Sequence, residues 1–425
     1  MTDYVMVFPA ELWDFIRASG FSWGYLNLRV DHGEGVVTIS HVWKGDESPH
    51  PVNTSSWQRN HYLRYADITP LSAVWYQAHP DLHRLHRELS QRGSATNTDF
   101  FSSLLGSSLV TPGPNGIPVV TVSIEDDGRH AVSTWQVNDE AAWPTRTIVI
   151  DQDASPLEFI KEEWPVESLA DAHVTLVGVG SIGGAAAQVL CSAGVGHLSL
   201  FDPDRLEQRN LARHQLKGED LGRFKARALR SRLEDRYDVK VDAFCVDIIE
   251  AADHLRPVAQ ASDVILCSAD GVAARRVANH VARWARKPLV LAAVFEDGAF
   301  GEIIRVRERT GCLWCLRLAQ QAEGSLDPEP GLDLGYGTGT AHKPMTAAPP
   351  DLQLMGALAA KAAISTILEA RGRWEQRLPG DLAIIGLQPK PDMAAPFDID
   401  AAGEVRWHQL PERRLECPTC AAQFV

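Results

Sequence analysis

The chain has 425 residues, 45% of them hydrophobic, enough apolar surface to bury a core in each of two or three domains. Its 41 Lys and Arg against 55 Asp and Glu give a formal charge of -14, which disfavours general attraction to nucleic acid or an anionic membrane face and leaves proteins, peptides and small molecules as partners. No apolar run is expected to reach the roughly 20 residues of a membrane helix, and the N-terminal stretch lacks the basic-then-apolar order of an export signal, so the cytoplasm is the expected compartment.

Residues 1–150 read as an α+β domain of their own. PAELWDFIRAS has helical spacing, GYLNLRV and GVVTISHVW have strand character, and SAVWYQAHPDLHRLHREL (72–89) reads as one helix. PVVTVSI and RTIVI follow as strand candidates, and residues 151–171 read as a linker. The aromatics Trp57, Trp75 and Tyr76 are expected in a core or interface.

From Ala172 to the end the pattern changes. HVTLVGVG is a continuous apolar run ending in glycine, as a parallel strand buried on both faces requires. SIGGAAAQVLCSAG then reads as a helix of small residues and HLSLFDPD as a second strand, a β-α-β unit. KARALRSRLEDRY, VDAFCVDI, ASDVILCSAD, GVAARRVANHVARWARK and PLVLAAVF continue the alternation of helix and strand. This spacing predicts an α/β fold with a Rossmann-like doubly wound, mainly parallel sheet, whose ligands lie beyond the carboxyl ends of the strands. A Gly/Pro-rich crossover loop is expected over 323–350, followed by a helix at DLQLMGALAAKAAISTILEA.

Gly178, Gly180 and Gly183 form a Gly-x-Gly-x-x-Gly turn between the first strand and its helix, where backbone amides can approach a phosphate. Alone, the turn fits a redox dinucleotide equally well. Its continuation points to a triphosphate: Asp202 and Asp204 end the second strand, and Arg209, Asn210, Arg213 and Lys225 follow closely. A dehydrogenase needs one acid for a ribose and no such set of cations, whereas departing pyrophosphate needs its developing charge neutralised. Asp270 closes a later strand at the same sheet edge, where a carboxylate can hold Mg²⁺ against phosphate. Asp204 and Arg209 have an alternative reading, as an ion pair with each other on a solvated loop.

GVGSIGG, LFDPDRLEQRNLAR, FKA and CSAD, in this order, resemble the adenylation domain of the ThiF and ubiquitin-activating enzyme superfamily. The resemblance covers about 172–387 and implies that Asp202 binds the ribose hydroxyls of ATP, that Asn210, Arg213 and Lys225 contact phosphates, and that Asp270 holds Mg²⁺. The family usually has Asn after that last aspartate, whereas Gly271 follows here. The implied reaction joins the C-terminal carboxylate of a ubiquitin-like protein or peptide to AMP. The implied partners include a conjugating or sulfur-transfer protein, and a homodimer with an arginine donated in trans is expected from the resemblance only.

Seven cysteines include the pairs Cys312/Cys315 and Cys417/Cys420, each two thiolates on a short turn. Together they are the ligand set of a closed tetrahedral Zn²⁺ site that would tie the C-terminal tail to the sheet. Related enzymes that form a thioester carry a cysteine in the crossover loop, and Leu316–Pro350 contains none. Cys191 and Cys267 read as core residues, and Cys245, placed within a strand, stays a weak candidate for an acyl acceptor alongside a partner's cysteine.

The segment around His79 and Asp99 resembles in part the JAB/MPN metalloprotease motif. Gln77 stands where its first histidine belongs, the gap from His79 to Asp99 is too long, and no glutamate stands near Trp23, so an inactive or unrelated domain is favoured. His79, His83 and His86 recur at helical spacing on one expected exposed face, where they could ligate a metal, although such a face is more often simply solvated. Two alternatives to the adenylation reading therefore stand: a non-catalytic scaffold for a ubiquitin-like partner, and JAB-type proteolysis by the N-terminal domain.

Overall fold

The computed structural model describes residues 4–44, 48–52, 68–112, 115–126, 128–150, 155–295, 298–324, 347–391 and 393–421. Trp57 and most of the expected crossover loop (325–346) lie outside these residues. The chain divides into two units, Met1–Ser155 and Pro156–Val425.

In the first unit the elements are β1 (Val5–Pro9), α1 (Glu11–Ala18), β2 (Trp23–Asp31), β3 (Val36–Trp43), β4 (His50–Pro51), β5 (Ile68–Gln77), α2 (Pro80–Arg92), β6 (Thr96–Asn97), α3 (Thr98–Ser103), β7 (Ile117–Ile124), β8 (His130–Val137) and β9 (Ala141–Ile150). The sheet runs β1-β3-β2-β5-β7-β8-β9-β6, and β1 also pairs with β9, so the main strands close into a ring. Alternation along β2 and β5 serves two cores. Leu26, Leu28 and Trp75 pack with Leu12, Trp13 and Ile16 of α1, while Val74 and Tyr76 pack with Leu82 and Leu89 of α2. Trp75 and Tyr76 are thus core residues.

The single helix expected over 72–89 is instead a strand and a helix. Val74, Trp75 and Tyr76 are β-branched and aromatic and sit in β5, and His79 is extended (ψ 141°) because Pro80 follows it as the first helical residue.

The second unit contains α4 (Glu167–Ala170), β10 (His173–Val177), α5 (Ser181–Ser192), β11 (His197–Phe201), α6 (Lys225–Arg236), β12 (Lys240–Phe244), α7 (Ala252–Ala261), β13 (Val264–Cys267), α8 (Val272–Ala285), β14 (Leu289–Phe295), β15 (Phe300–Val306), α9 (Leu313–Ala322), α10 (Pro349–Ala370), β16 (Leu382–Gly386) and β17 (Val405–His408). Residues 156–171 belong to this unit, with Leu169 in its core.

The sheet order is β12-β11-β10-β13-β14-β15-β16-β17. Pairings from β12 through β14 are parallel, and those of β15, β16 and β17 are antiparallel. Every residue of β10 is buried, as a strand covered on both faces must be. Ile182, Ala186 and Leu190 of α5, Leu229 and Leu233 of α6, and Met355, Ala359 and Ala363 of α10 pack in one core. Leu255 and Ala259 of α7 and Ala278, Val281 and Ala282 of α8 pack in the other.

Helix α10 corrects the expectation of no long apolar run. Its 22 residues include a window of mean hydropathy 1.2, of which 67% is buried inside the unit. The burial has a packing cause: a methyl at Gly356 would lie 2.5 Å from the Ala185 Cβ and 2.6 Å from the Ile182 carbonyl oxygen, so the small residues of α5 and α10 allow close helix contact.

Candidate active site

The carboxyl ends of β10, β11 and β13 are stitched together by the residues that follow them. Gly178 N–H donates to the Phe201 carbonyl (2.8 Å), Ser268 N–H to the Val177 carbonyl (2.9 Å) and Asp202 N–H to the Phe244 carbonyl (3.1 Å). Gly178 has φ +81°, and a Cβ there would sit 2.8 Å from the Ala269 amide nitrogen. A methyl at Gly183 would overlap the Gly178 carbonyl oxygen and come within 2.6 Å of Ser268 Oγ, which itself donates to Gly178 O (2.8 Å). These two glycines are demanded by the protein's own packing. Gly180 differs. It is the N-cap of the 12-residue α5, offers no side-chain cap, and a Cβ on it would meet nothing within 4 Å. The space a side chain on Gly180 would enter is therefore open, beside the N-terminus of α5, where the first amides and the positive end of the helix dipole can take an anion.

Asp202 is buried, and both its carboxylate oxygens accept backbone amides: Val179 N–H at 2.8 Å and Asp204 N–H at 2.9 Å. Burial pushes its carboxyl up to about 6, against the opposing pull of Lys225 and the two amides. Lys225, the first residue of α6, is itself buried and donates from Nζ to Asp204 Oδ2 at 2.7 Å. Arg209 pairs instead with Glu207 at 2.7 Å, both exposed. The alternative Asp204–Arg209 ion pair is thus replaced by Asp204–Lys225, because the Lys225 backbone also donates to the Asp204 carbonyl (2.9 Å) and fixes the two side by side. Asn210 Oδ1 accepts from Glu207 N–H (2.9 Å) at the end of a short 3-10 helix, Gln208–Asn210, and the half-buried Arg213 in the turn after it donates its own N–H to the Asn210 carbonyl (3.0 Å).

Asp270 lies just beyond β13, exposed, with Gly271 as the N-cap of α8. Its loop is held by Arg275, whose Nε donates to the Ala269 carbonyl at 2.9 Å and whose guanidinium lies over Phe295 (5.2 Å). Arg317 of α9 lies over the same ring (5.5 Å) and forks onto the buried Glu302 (2.8 and 2.5 Å).

The four cysteines of the paired turns are all buried, with sulfur atoms within 4.8 Å of one another. Cys312 lies 3.6 Å from Cys417 and 3.9 Å from Cys315, and Cys315 lies 3.8 Å from Cys420. A tetrahedral Zn²⁺ with bonds of about 2.3 Å needs sulfurs roughly 3.8 Å apart, so the set fits a structural zinc. The Cys420 amide directed at Cys417 Sγ (3.4 Å) supplies an outer-shell contact of the kind such sites use. Cys191 and Cys267 are buried, and burial pushes their thiols up to about 12 and 11, so neither is a ready nucleophile. Cys245 lies just past the end of β12 rather than inside a strand, partly buried. β12 ends at Phe244, whose carbonyl accepts the Asp202 N–H, one residue before Cys245.

The three histidines of α2 do not share an exposed face. His79 caps the helix, its Nδ1 accepting the Asp81 N–H (3.3 Å), His83 Nδ1 meets Ser133 Oγ (2.6 Å), and His86 is buried against the carbonyls of Thr134 and Thr145 (3.1 and 3.0 Å). Asp99 is exposed at the start of α3. Among the described residues, the cysteine set is the group of three or more potential ligands that comes together.

The model of the ThiF family matches residues 152–377, just over half of the chain. The chain belongs to the ThiF family. Curated relatives include the "Adenylyltransferase and sulfurtransferase MOCS3" of Drosophila persimilis, 36% identical over 135 residues, 31% of this chain and 29% of that protein. The "Molybdopterin-synthase adenylyltransferase" of Escherichia coli (strain K12) is 31% identical over 151 residues, 35% of this chain and 60% of that protein. The chain thus spans less than two thirds of the length of either. Among solved structures, E. coli MccB with ATP matches with 20% identity and TM-score 0.45, over 60% of this chain and 68% of that one.

Within this ThiF-family unit, sequence reasoning missed Ser268, Arg275 and His214. Ser268 stands inside the quoted CSAD and Arg275 five residues beyond it, and neither carries a separate spacing signal. His214 stands beside Arg213 but shows its burial only once the loop is folded.

Proposed function

We propose that the second unit binds Mg·ATP at the carboxyl edge of β10, β11 and β13 and adenylates the C-terminal carboxylate of a ubiquitin-like protein or peptide. One observation carries the reading: the open α5 N-terminus at Gly180, the buried Asp202, the Lys225–Asp204 pair and Asp270 all belong to loops that hydrogen-bond or pack against one another at that edge. The names of the ThiF-family relatives, adenylyltransferases, support it.

ATP and Mg²⁺ supply an electrophilic α-phosphorus and a screened pyrophosphate leaving group. The carboxylate oxygen bonds to that phosphorus as the bond to pyrophosphate breaks. Asp202 keeps lone pairs for the ribose hydroxyls beyond those given to the two amides. The amides at Gly180 and the cations of Asn210's neighbours, Arg209, Arg213 and Lys225, face the phosphates, with Asn210 as a neutral donor. Asp204 holds the Lys225 ammonium in place. Asp270 offers a hard oxygen to magnesium.

Because Leu316–Pro350 has no cysteine and Cys191 and Cys267 are buried, the acyl group passes to another nucleophile: Cys245, or a conjugating or sulfur-transfer partner. The reading carries with it a cytoplasmic homodimer. It is tested by pyrophosphate exchange into ATP in the presence of small proteins ending in Gly-Gly. Exchange is expected, and its loss in Asp270→Ala; a protein that neither binds ATP nor exchanges with any of them ends the reading.

A further inference from the structure

His214 belongs to no motif used above, yet it is among the few buried histidines of the second unit. Its Nδ1 accepts the Leu216 N–H (3.2 Å), which leaves the proton on Nε2, and Nε2 lies 2.9 Å from the Val179 carbonyl oxygen. Val179 is the middle residue between Gly178 and Gly180. Its own N–H goes to Asp202 Oδ2 at 2.8 Å. The two polar groups of one residue in the glycine turn are therefore held from two different loops. The imidazole also lies where a Cβ on Gly184, in the first turn of α5, would meet its Cε1 at 3.7 Å. At the other end, the His214 backbone N–H donates to the carbonyl of Asn210 (2.9 Å), closing the turn that carries Arg213.

We propose that His214 is a positioning residue of the nucleotide site, a neutral imidazole that bolts the Asn210–Arg213 turn to the glycine turn through Val179 and so sets the spacing between the phosphate-binding amides and the Arg213 guanidinium. The inference rests on the reading of this edge as an ATP site. Burial and the nearby Lys225 cation hold the imidazole down to about 4, which keeps it in the one tautomer that can donate to Val179 while accepting from Leu216. The side chain touches no phosphate in this role; it acts through the two loops that do.

Two substitutions separate the contact from the fold. In His214→Asn the side-chain oxygen stays near the Nδ1 position and keeps the Leu216 N–H, but the chain is too short to reach Val179. In His214→Gln the amide nitrogen stays near the Nε2 position and keeps the Val179 carbonyl. Binding of ATP with Mg²⁺ to the full chain is measured by calorimetry, with urea unfolding of each variant alongside. Loss of one buried hydrogen bond that orders the site is expected to weaken ATP by about tenfold in His214→Asn, with His214→Gln within about threefold of the natural protein. A KM for ATP that rises in the Asn variant while kcat is kept less affected is the second expected mark. If both variants lose stability equally and bind ATP equally, His214 serves only the fold and the inference is overturned, while the ATP reading stands. If the natural protein binds no ATP, the reading fails first and the inference with it.

Discussion

Gly183 has no room for a side chain because the carbonyl oxygen of Gly178 occupies the place its Cβ would take. Gly180, between them, faces open space. The two positions therefore answer different questions. Gly183→Ala is expected to cost roughly 2–3 kcal/mol of stability, since backbone and not a flexible side chain must give way. Gly180→Ala is expected to fold with nearly natural stability and to lose ATP affinity, since the added methyl meets only the ligand. Urea unfolding and ATP titration of both proteins check this; equal ATP affinity for Gly180→Ala and the natural chain would place the phosphates elsewhere.

Asp202 and His214 give opposite pH signatures. Asp202's carboxyl is raised from 3.8 to about 6, so between these values the folded chain holds a proton that the unfolded chain has released, and this contribution to stability falls as pH rises through about 6. His214 is lowered from 6.5 to about 4, so the unfolded chain holds the extra proton, and this contribution rises with pH across that window. Each slope reaches at most about 1.4 kcal/mol per pH unit, and between pH 4 and 6 they offset one another. Asp202→Asn removes one of them. Its unfolding free energy should climb more steeply from pH 4 to 6 than that of the natural protein. ATP affinity of the natural protein should strengthen as pH rises through about 6, where Asp202 ionises.

Metal analysis of the purified chain should give one zinc, retained in His79→Ala and lost in Cys417→Ser. Loss of the metal frees the tail around Cys417 and Cys420 from α9, and the second unit should lose more than about 2 kcal/mol of stability. Zinc retained in Cys417→Ser would show that these four thiolates are not the site.

Glu302 and Arg317 are both nearly inaccessible, and their paired contacts of 2.8 and 2.5 Å tie β15 to α9. Glu302→Ala leaves a buried guanidinium without this carboxylate, although Gln320 Oε1 still accepts from it (2.7 Å), and is expected to cost about 3 kcal/mol, whereas replacing both residues with methionine should cost far less. Thermal unfolding of the single and double variants decides between a stabilising pair and one retained for specificity.

The parallel part of the sheet was legible in the sequence because strands buried on both faces are written as short, mainly apolar runs, and β10, β11, β13 and β14 each have one, broken only by His173, Thr175, His197 and Ser199. The antiparallel β15, β16 and β17 were not anticipated, and β5 was joined to α2 in one expected helix. In β5 the run Ala73–Tyr76 is buried on both faces by two different cores, and such a run has no period of two to distinguish it from a buried helix. The cysteine set was legible because each pair is local and chemically unambiguous.

By itself the sequence determined which residues stand at the ends of the strands, since the glycines, Asp202 and Asp270 directly follow strand-like runs, and it set Lys225 at the start of a helix. Only the tertiary structure decided who holds whom. Asp204 takes Lys225 and not Arg209, His86 turns inward while His79 stays exposed, and His214 reaches back 35 residues to Val179. The physical reason is that strand and helix follow from local periodicity, whereas the partner of a polar side chain is fixed by loops brought together at a sheet edge, where burial makes an unmet hydrogen bond costly.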